Sequence, residues 1–250
     1  VMADGSLWDR TTDNFIQNHN IMSVAYRINN HWSTSGALRY TYGYGYYDEF
    51  RYQNKAGSKF GLNYTPQDGS TRADFVRQKG LTQHTYSVQL NANYKSQAWD
   101  VITGLSAQRF TGNHFGYLTY ISNEDLRNHY ITEPGGKYQY YDSDAEKNDV
   151  SVFAKATWHL SKQWDAFADV QYRHATFETD GHNDKFMKNA NGEYVAQKLN
   201  IDKKYDFLNP KVGLAWHHKG HRAYASYAMS SREPERNNFT DNGHGEAPKA

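Results

Sequence analysis

"ALRYTYGYGYY", residues 37–47, poses the question on which the fold turns. Leu38, Tyr40, Tyr42, Tyr44 and Tyr46 fall on every second position, and Arg39, Thr41, Gly43 and Gly45 fill the gaps. A strand with this period has one aromatic-aliphatic face and one small, polar face. The first face calls for an apolar medium and the second for water or protein.

Seven further segments alternate in the same way. Their apolar phases begin at Met22, Tyr86, Trp99, Val150, Trp164, Pro210 and Ala223 and end at Ile28, Tyr94, Ala107, Leu160, Tyr172, Trp216 and Met229. Most are close to the roughly 9–11 residues that a tilted strand needs to cross a bilayer. Connections alternate between short ones (30–35, 95–98, 161–163, 218–221) and long ones (47–85, 110–149, 173–207 and 230 onward). Structureless loops beyond about 12–15 residues are uncommon in compact soluble domains, whereas outer-membrane barrels pair tight turns with long extracellular loops. Trp99, Trp158, Trp164 and Trp216 sit on the apolar phase beside short turns, joined by Tyr94, as in an interfacial aromatic belt. In the long connection at 173–207, Asn191-Gly192 marks a type I′ hairpin and predicts a β-ribbon there. The expected fold is all-β: a transmembrane antiparallel β-barrel, with eight up-and-down strands and the tyrosine ladder facing lipid.

Composition agrees. Hydrophobic residues are 38% of the 250 and mean hydropathy is −0.95, yet aromatics reach 16%, including 21 Tyr and 6 Trp. No apolar run approaches the roughly 18 residues of a membrane helix, while alternating barrel strands average out to a polar sequence. A net charge of +1 gives no reason to expect nucleic acid. Cysteine is absent, which excludes disulfides and thiolate metal sites. Both ends read as loop, so residues 1–250 are expected to be a partial barrel domain from a longer chain.

"NPKVGLAW" (209–216) followed by "AYASYAMSSREPERNNFTDNG" (223–243) resembles the barrel of TonB-dependent outer-membrane receptors, especially those of the Bacteroidetes type. Residues 13–50, with their Gly-Tyr-Tyr exit into a loop, look similar. The resemblance implies a 22-stranded barrel in the bacterial outer membrane, plugged by an N-terminal domain of the same protein and energised by the TonB complex. It implies active uptake of a scarce nutrient: an iron-siderophore, haem, cobalamin or a glycan-derived ligand. The 250 residues show no plug, TonB box or terminal aromatic strand, so eight strands would form an interior piece of that wall.

Candidate ligand-contact residues are Arg232, Glu233, Arg236, Asn237 and Asn238 after the last strand, which could grip a small-molecule ligand or pin the plug by charge-assisted hydrogen bonds. The favoured alternative is that "REP" merely ends the ladder at Pro234. His114, Tyr117 and Tyr120, with His129 and Tyr130, share one long loop and are residue types that ligate haem iron; scattered surface histidine is the favoured reading. Asp142, Asp144, Glu146 and Asp149 carry oxygens suited to Ca²⁺ but lack EF-hand spacing, and a solvated acidic loop is favoured. No nucleophile, metalloprotease or P-loop motif is present, so no catalytic residue, metal or cofactor is assigned and no enzyme is expected. Lys155, Asp165, Asp169, Gln171 and Lys211 are expected to line the lumen. Rival readings are a complete small outer-membrane barrel for adhesion or passive diffusion, and a soluble β-sandwich binding module.

Overall fold

The alternating segments do form strands, and they pair in chain order. The computed structural model describes residues 5, 6, 8, 12–235, 238 and 239. Its strands are β1 (Asp13–Arg27), β2 (Trp32–Lys55), β3 (Arg72–Lys95), β4 (Trp99–Ile121), β5 (Tyr138–His159), β6 (Trp164–Lys188), β7 (Tyr194–His218) and β8 (His221–Ala228). They make one antiparallel sheet in the order β1 to β8. Two short helices, α1 (Ala56–Phe60) and α2 (Glu124–Tyr130), lie in the connections β2–β3 and β4–β5. Among the described residues β1 and β8 do not pair with each other. The sheet is an open wall rather than a closed eight-stranded barrel.

Strand length departs from expectation. β2 to β7 run 22–25 residues each. Most of the expected long loops are therefore ribbon, and the connections shrink to 56–71, 122–137 and 189–193. The first short turn also lies earlier, at residues 28–31, where Asn29 Oδ1 accepts from the backbone N–H of His31 (2.8 Å) and Trp32 (2.9 Å). The acidic stretch 141–149 is part of β5, not a loop, so Asp142, Asp144 and Glu146 share one face and Asp149 lies on the other. Asp142 and Asp144 share the Asn113 amide, at 2.7 and 3.0 Å.

Register explains why the extensions escape detection. At the short-turn end, one face carries Trp32, Tyr94, Trp99, Trp158, Trp164 and Trp216, each at the turn-proximal end of its strand. Trp32 thereby joins the expected belt, its ring 5.0 Å from that of Tyr94; the Trp99 and Trp158 rings stack at 5.5 Å. Four positions further along this face the residues remain uncharged, through Leu38, Val88, Leu105, Val152, Val170 and Pro210, up to Tyr40, Tyr86, Ala107, Val150, Tyr172 and Leu208. The next row is Tyr42, His84, Arg109, Asn148, His174 and Asp206. Alternation of the backbone continues there, but alternation of polarity stops. The apolar band thus runs from residue 32 to 40 on β2, and only the foot of the tyrosine ladder lies within it.

Glycine on the opposite face lets aromatic rings lie flat on the wall. A Cβ built on Gly213 would sit 2.4 Å from the Phe167 ring and 2.8 Å from the Ala225 carbonyl oxygen. Because backbone on one side blocks relief, Gly213→Ala is expected to cost about 1–2 kcal/mol. Urea unfolding in lipid vesicles measures it; a neutral result would mean that the Phe167 ring swings away freely.

Candidate functional site

The described hydrophobic core is not in the wall but at the far tips of the strands. Phe60, Phe75, Leu118, Ile121, Leu126 and Tyr140 are buried there, from both helical connections and the strand ends beside them. Phe60 packs against Phe75 at 4.5 Å and edge-on to Tyr140 at 5.4 Å. Register shifts at Arg51/Asn54, Val76/Arg77, Gly116/Tyr117 and His182/Phe186 bend the strand ends at this level.

Polar contacts lock the cap. The Asn63 side chain donates to the Tyr194 carbonyl (3.0 Å) and accepts from its N–H (2.7 Å), tying the β2–β3 connection to the β6–β7 ribbon. The Tyr130 hydroxyl accepts from the N–H of Asn63 (2.8 Å) and Tyr64 (3.1 Å). His129 stacks on Tyr64 at 4.1 Å, so it serves packing here.

Beside the cap lies a charged cluster. Glu49 pairs with Arg51 at 2.7 Å and with Arg77 at 2.6 Å, and Lys79 pairs with Asp184 at 2.8 Å across to the β6–β7 ribbon. Burial pushes the Glu49 and Asp184 carboxyls up, but hydrogen bonds from Arg77 and Arg51, and from Lys79, outweigh it and hold both below the usual range. Burial raises the Tyr140 hydroxyl, which has no hydrogen-bond partner among the described residues. Three cations face two carboxylates, an arrangement that favours an anionic, oxygen-bearing ligand. None of these residues stands out in the sequence; the luminal phase of the strands, carried past the apolar band, would have found Glu49, Arg51, Arg77 and Lys79.

A second cluster lies on the luminal face. Arg173 donates through Nε to Asp149 (2.8 Å) and through Nη1 to Glu233 (2.7 Å), and Lys147 also pairs with Glu233. The segment after β8 therefore reaches across to β5 and β6. Partial burial pushes the Glu233 carboxyl up, but hydrogen bonds from Arg173 and Lys147 prevail and hold it at about 2. A depressed carboxyl stabilises the fold above its ordinary value of 4.5, and that stability fades as pH falls from there towards 2. The side chain is 13% exposed; screening reduces the contribution to about 1–2 kcal/mol. Glu233→Gln is expected to lose this at pH 7 and to match the parent protein near pH 2, by denaturant unfolding at each pH.

The other candidates are dispersed. Arg232 is exposed, and Arg236 and Asn237 lie outside the described residues. Asn238 holds a turn, its Oδ1 accepting from Glu235 N–H at 2.9 Å. His114, Tyr117 and Tyr120 are strung along β4 rather than gathered in a loop, about 20 Å from first to last at the rise of a strand. Lys137 lies over the Tyr117 ring at 4.0 Å. At the opposite end, His159 sits between Asp165 (2.7 Å) and Asp100 (3.3 Å). Among the described residues no three histidine, aspartate or glutamate side chains are placed to hold a metal ion.

The family model described as TonB dependent receptor-like, beta-barrel matches residues 2–249. The chain belongs to that family. Among solved structures, this TonB-dependent receptor barrel is similar to the closed form of the ferric-catecholate import receptor Fiu from E. coli K12, with 15% identity and a TM-score of 0.61 over 93% of this chain and 37% of that one. It is also similar to the copper transporter OprC, at 14% identity and TM-score 0.61 over 88% and 31%. The ferric yersiniabactin uptake receptor FyuA from Yersinia pestis gives 12% identity and TM-score 0.55 over 88% and 29%. At these identities the likeness is one of fold. The receptor barrel spans about a third of the length of these relatives. No curated protein matches the chain.

Proposed function

We propose that this chain is part of the barrel wall and extracellular mouth of a transporter in the bacterial outer membrane, taking up a scarce nutrient with energy from the TonB complex. The observation that carries the reading is the uncharged, aromatic-rimmed band on one face, continuous over six strands, in a chain of this receptor family. Nine residues per strand, as from 32 to 40 on β2, match the roughly 9–11 needed to cross a bilayer at a tilt. The short turns then lie on the periplasmic side and the cap outside the cell. A plug domain of the same protein would fill the lumen, against which Lys155, Asp165, Asp169, Gln171 and Lys211 project.

The ligand is an iron-siderophore, haem, cobalamin or a similar scarce compound. The excess of cations beside the cap favours an anionic member of that set. Glu233 and its cation partners, together with Arg232, Arg236, Asn237, His114, Tyr117 and Tyr120, are proposed ligand contacts along the mouth. The test is uptake of labelled ferric siderophores, haem and cobalamin by cells with the gene intact, with the gene deleted, and with the TonB complex disabled. Uptake of one ligand that needs both the gene and TonB is expected. Uptake that persists without TonB would indicate passive diffusion instead.

A further inference from the structure

The short-turn end of the wall has a charge of its own. The turns at 28–31, 96–98, 160–163 and 219–220 contain no aspartate or glutamate, whereas the connections 56–71 and 122–137 contain Asp68, Glu124, Asp125 and Glu133. Between the β5–β6 and β7–β8 turns lies an open cavity of about 450 Å³. Lys162, His217, His218, Lys219, His221 and Arg222 line it, and among the described residues no carboxylate does. Asp165 approaches His217 only from the luminal side, at 3.7 Å.

Local geometry holds these groups in place. Lys219 and Gly220 have φ of 44° and 86°, the positive pair of a type I′ hairpin closed by His218 opposite His221. Asparagine or glycine suits the first of these positions, and the Cβ of a lysine disfavours it. Strain kept at a turn tip for the sake of an ammonium group points to a use for that charge. Gln163 Nε2 donates to His218 Nδ1 at 3.0 Å, so the neutral His218 ring carries its proton on Nε2 and is itself a donor. Lysine and arginine cations beside imidazole N–H groups are the donors that hold a phosphate. The height fits as well. The cavity begins one residue beyond the Trp164–Trp216 pair, and the His218 ring lies 6.1 Å from that of Trp216. One to three residues past an aromatic belt is about 3–10 Å at the rise of a strand, the level of lipid headgroups.

We propose that this cavity binds the phosphate of an anionic phospholipid in the leaflet on the short-turn side. The inference rests on the band being the lipid contact. A zwitterionic phosphatidylethanolamine would bring its own ammonium against Lys162, Lys219 and Arg222. A phosphodiester with net negative charge, as in phosphatidylglycerol, meets them without that opposition.

The test uses the full-length protein in vesicles of phosphatidylethanolamine alone, of that lipid with phosphatidylglycerol, and of phosphatidylethanolamine with inorganic phosphate in the buffer. Lysine acetylation is followed residue by residue with mass spectrometry. Phosphatidylglycerol is expected to slow acetylation of Lys162 and Lys219 about fivefold. Lys95, at the turn end of β3, should change far less, and Lys188, at the other end of β6, not at all. The variant Lys162→Gln, Lys219→Gln should still insert, and should retain about fivefold less phosphatidylglycerol for each lysine removed, by native mass spectrometry. Equal slowing at Lys95, Lys162 and Lys219 would be general surface attraction and overturns the site. The same protection from inorganic phosphate alone overturns the lipid in favour of a free anion. Slow acetylation of Lys162 and Lys219 under every condition means that protein, the plug included, covers the cavity, and overturns the inference too. Brominated acyl chains should quench the tryptophan fluorescence in each vesicle. Absence of quenching overturns the lipid-band reading, and this inference with it.

Discussion

Replacing Phe60 with alanine is expected to release the cap while leaving the wall folded. Phe60 ends α1, a helix of five residues that is far too short to persist on its own. Gly61 follows in a left-handed conformation, φ 69°, and a Cβ there would meet the Phe186 ring at 2.5 Å, so the chain turns sharply beneath that ring. The fold of this connection rests on the Phe60 side chain, 1% exposed, wedged against Phe75 and Tyr140. Removing such a ring costs about 3–5 kcal/mol when the cavity cannot collapse. The cost falls on the cap, because the strands below hold their own ladder hydrogen bonds. Hydrogen exchange should therefore speed up over 56–71 and 122–137 and stay slow over 86–94. Phe60→Leu, which keeps most of the volume, should retain most of the protection. Uniform loss of protection along β3 would mean that cap and wall form one cooperative unit.

Leu90→Arg is expected to be as damaging by a different route. Leu90 lies mid-way up the apolar band, between Gly36 and Leu105, and is 53% exposed on that face. A cation at the midplane of a barrel's lipid face costs about 2–4 kcal/mol, because nothing in the acyl region replaces its hydration. Asn91, its neighbour in sequence, points to the other face and donates to Ser35 Oγ at 3.4 Å. Asn91→Arg places the same charge in the lumen and should cost far less. Unfolding both variants in phospholipid vesicles reads the difference directly. Equal costs at the two positions would contradict the assignment of faces. The chain has no cysteine, so single cysteines at Val88 and Ser87 offer an independent check with lipid-soluble and aqueous reagents.

The two variants also separate what was legible in the residues from what was not. Alternation marks the band-bearing segments of β3 to β7 and, on β2, only the part from Leu38 to Tyr40, and it assigns Leu90 and Asn91 to opposite faces without any pairing. Trp99, Trp158, Trp164 and Trp216 announced the turn-side rim. The residues beyond the far edge of the band read as loop in the sequence because outward positions such as His84, Arg109 and Asp206 are polar. Their strands show no two-residue polarity wave even though the backbone continues unchanged. The tyrosine ladder misled in the opposite sense, since aromatic alternation continues above the band on β2 where its neighbours have already turned polar.

Of the candidate contacts, Glu233 acquires a definite place through Arg173 and Lys147, both more than fifty residues away in the chain. The charged cluster of Glu49, Arg51, Arg77, Lys79 and Asp184 was invisible for the same reason: its members belong to two strands and a ribbon. By itself, the sequence determined the period, the faces, the order of strands and the aromatic rim beside the short turns, because each of these is written in neighbours two residues apart. Only the tertiary structure decided the height of the band, the ribbon extensions, the cap and the charge clusters. Each of those depends on register between strands, and register is set by hydrogen bonds and packing between residues far apart in the chain.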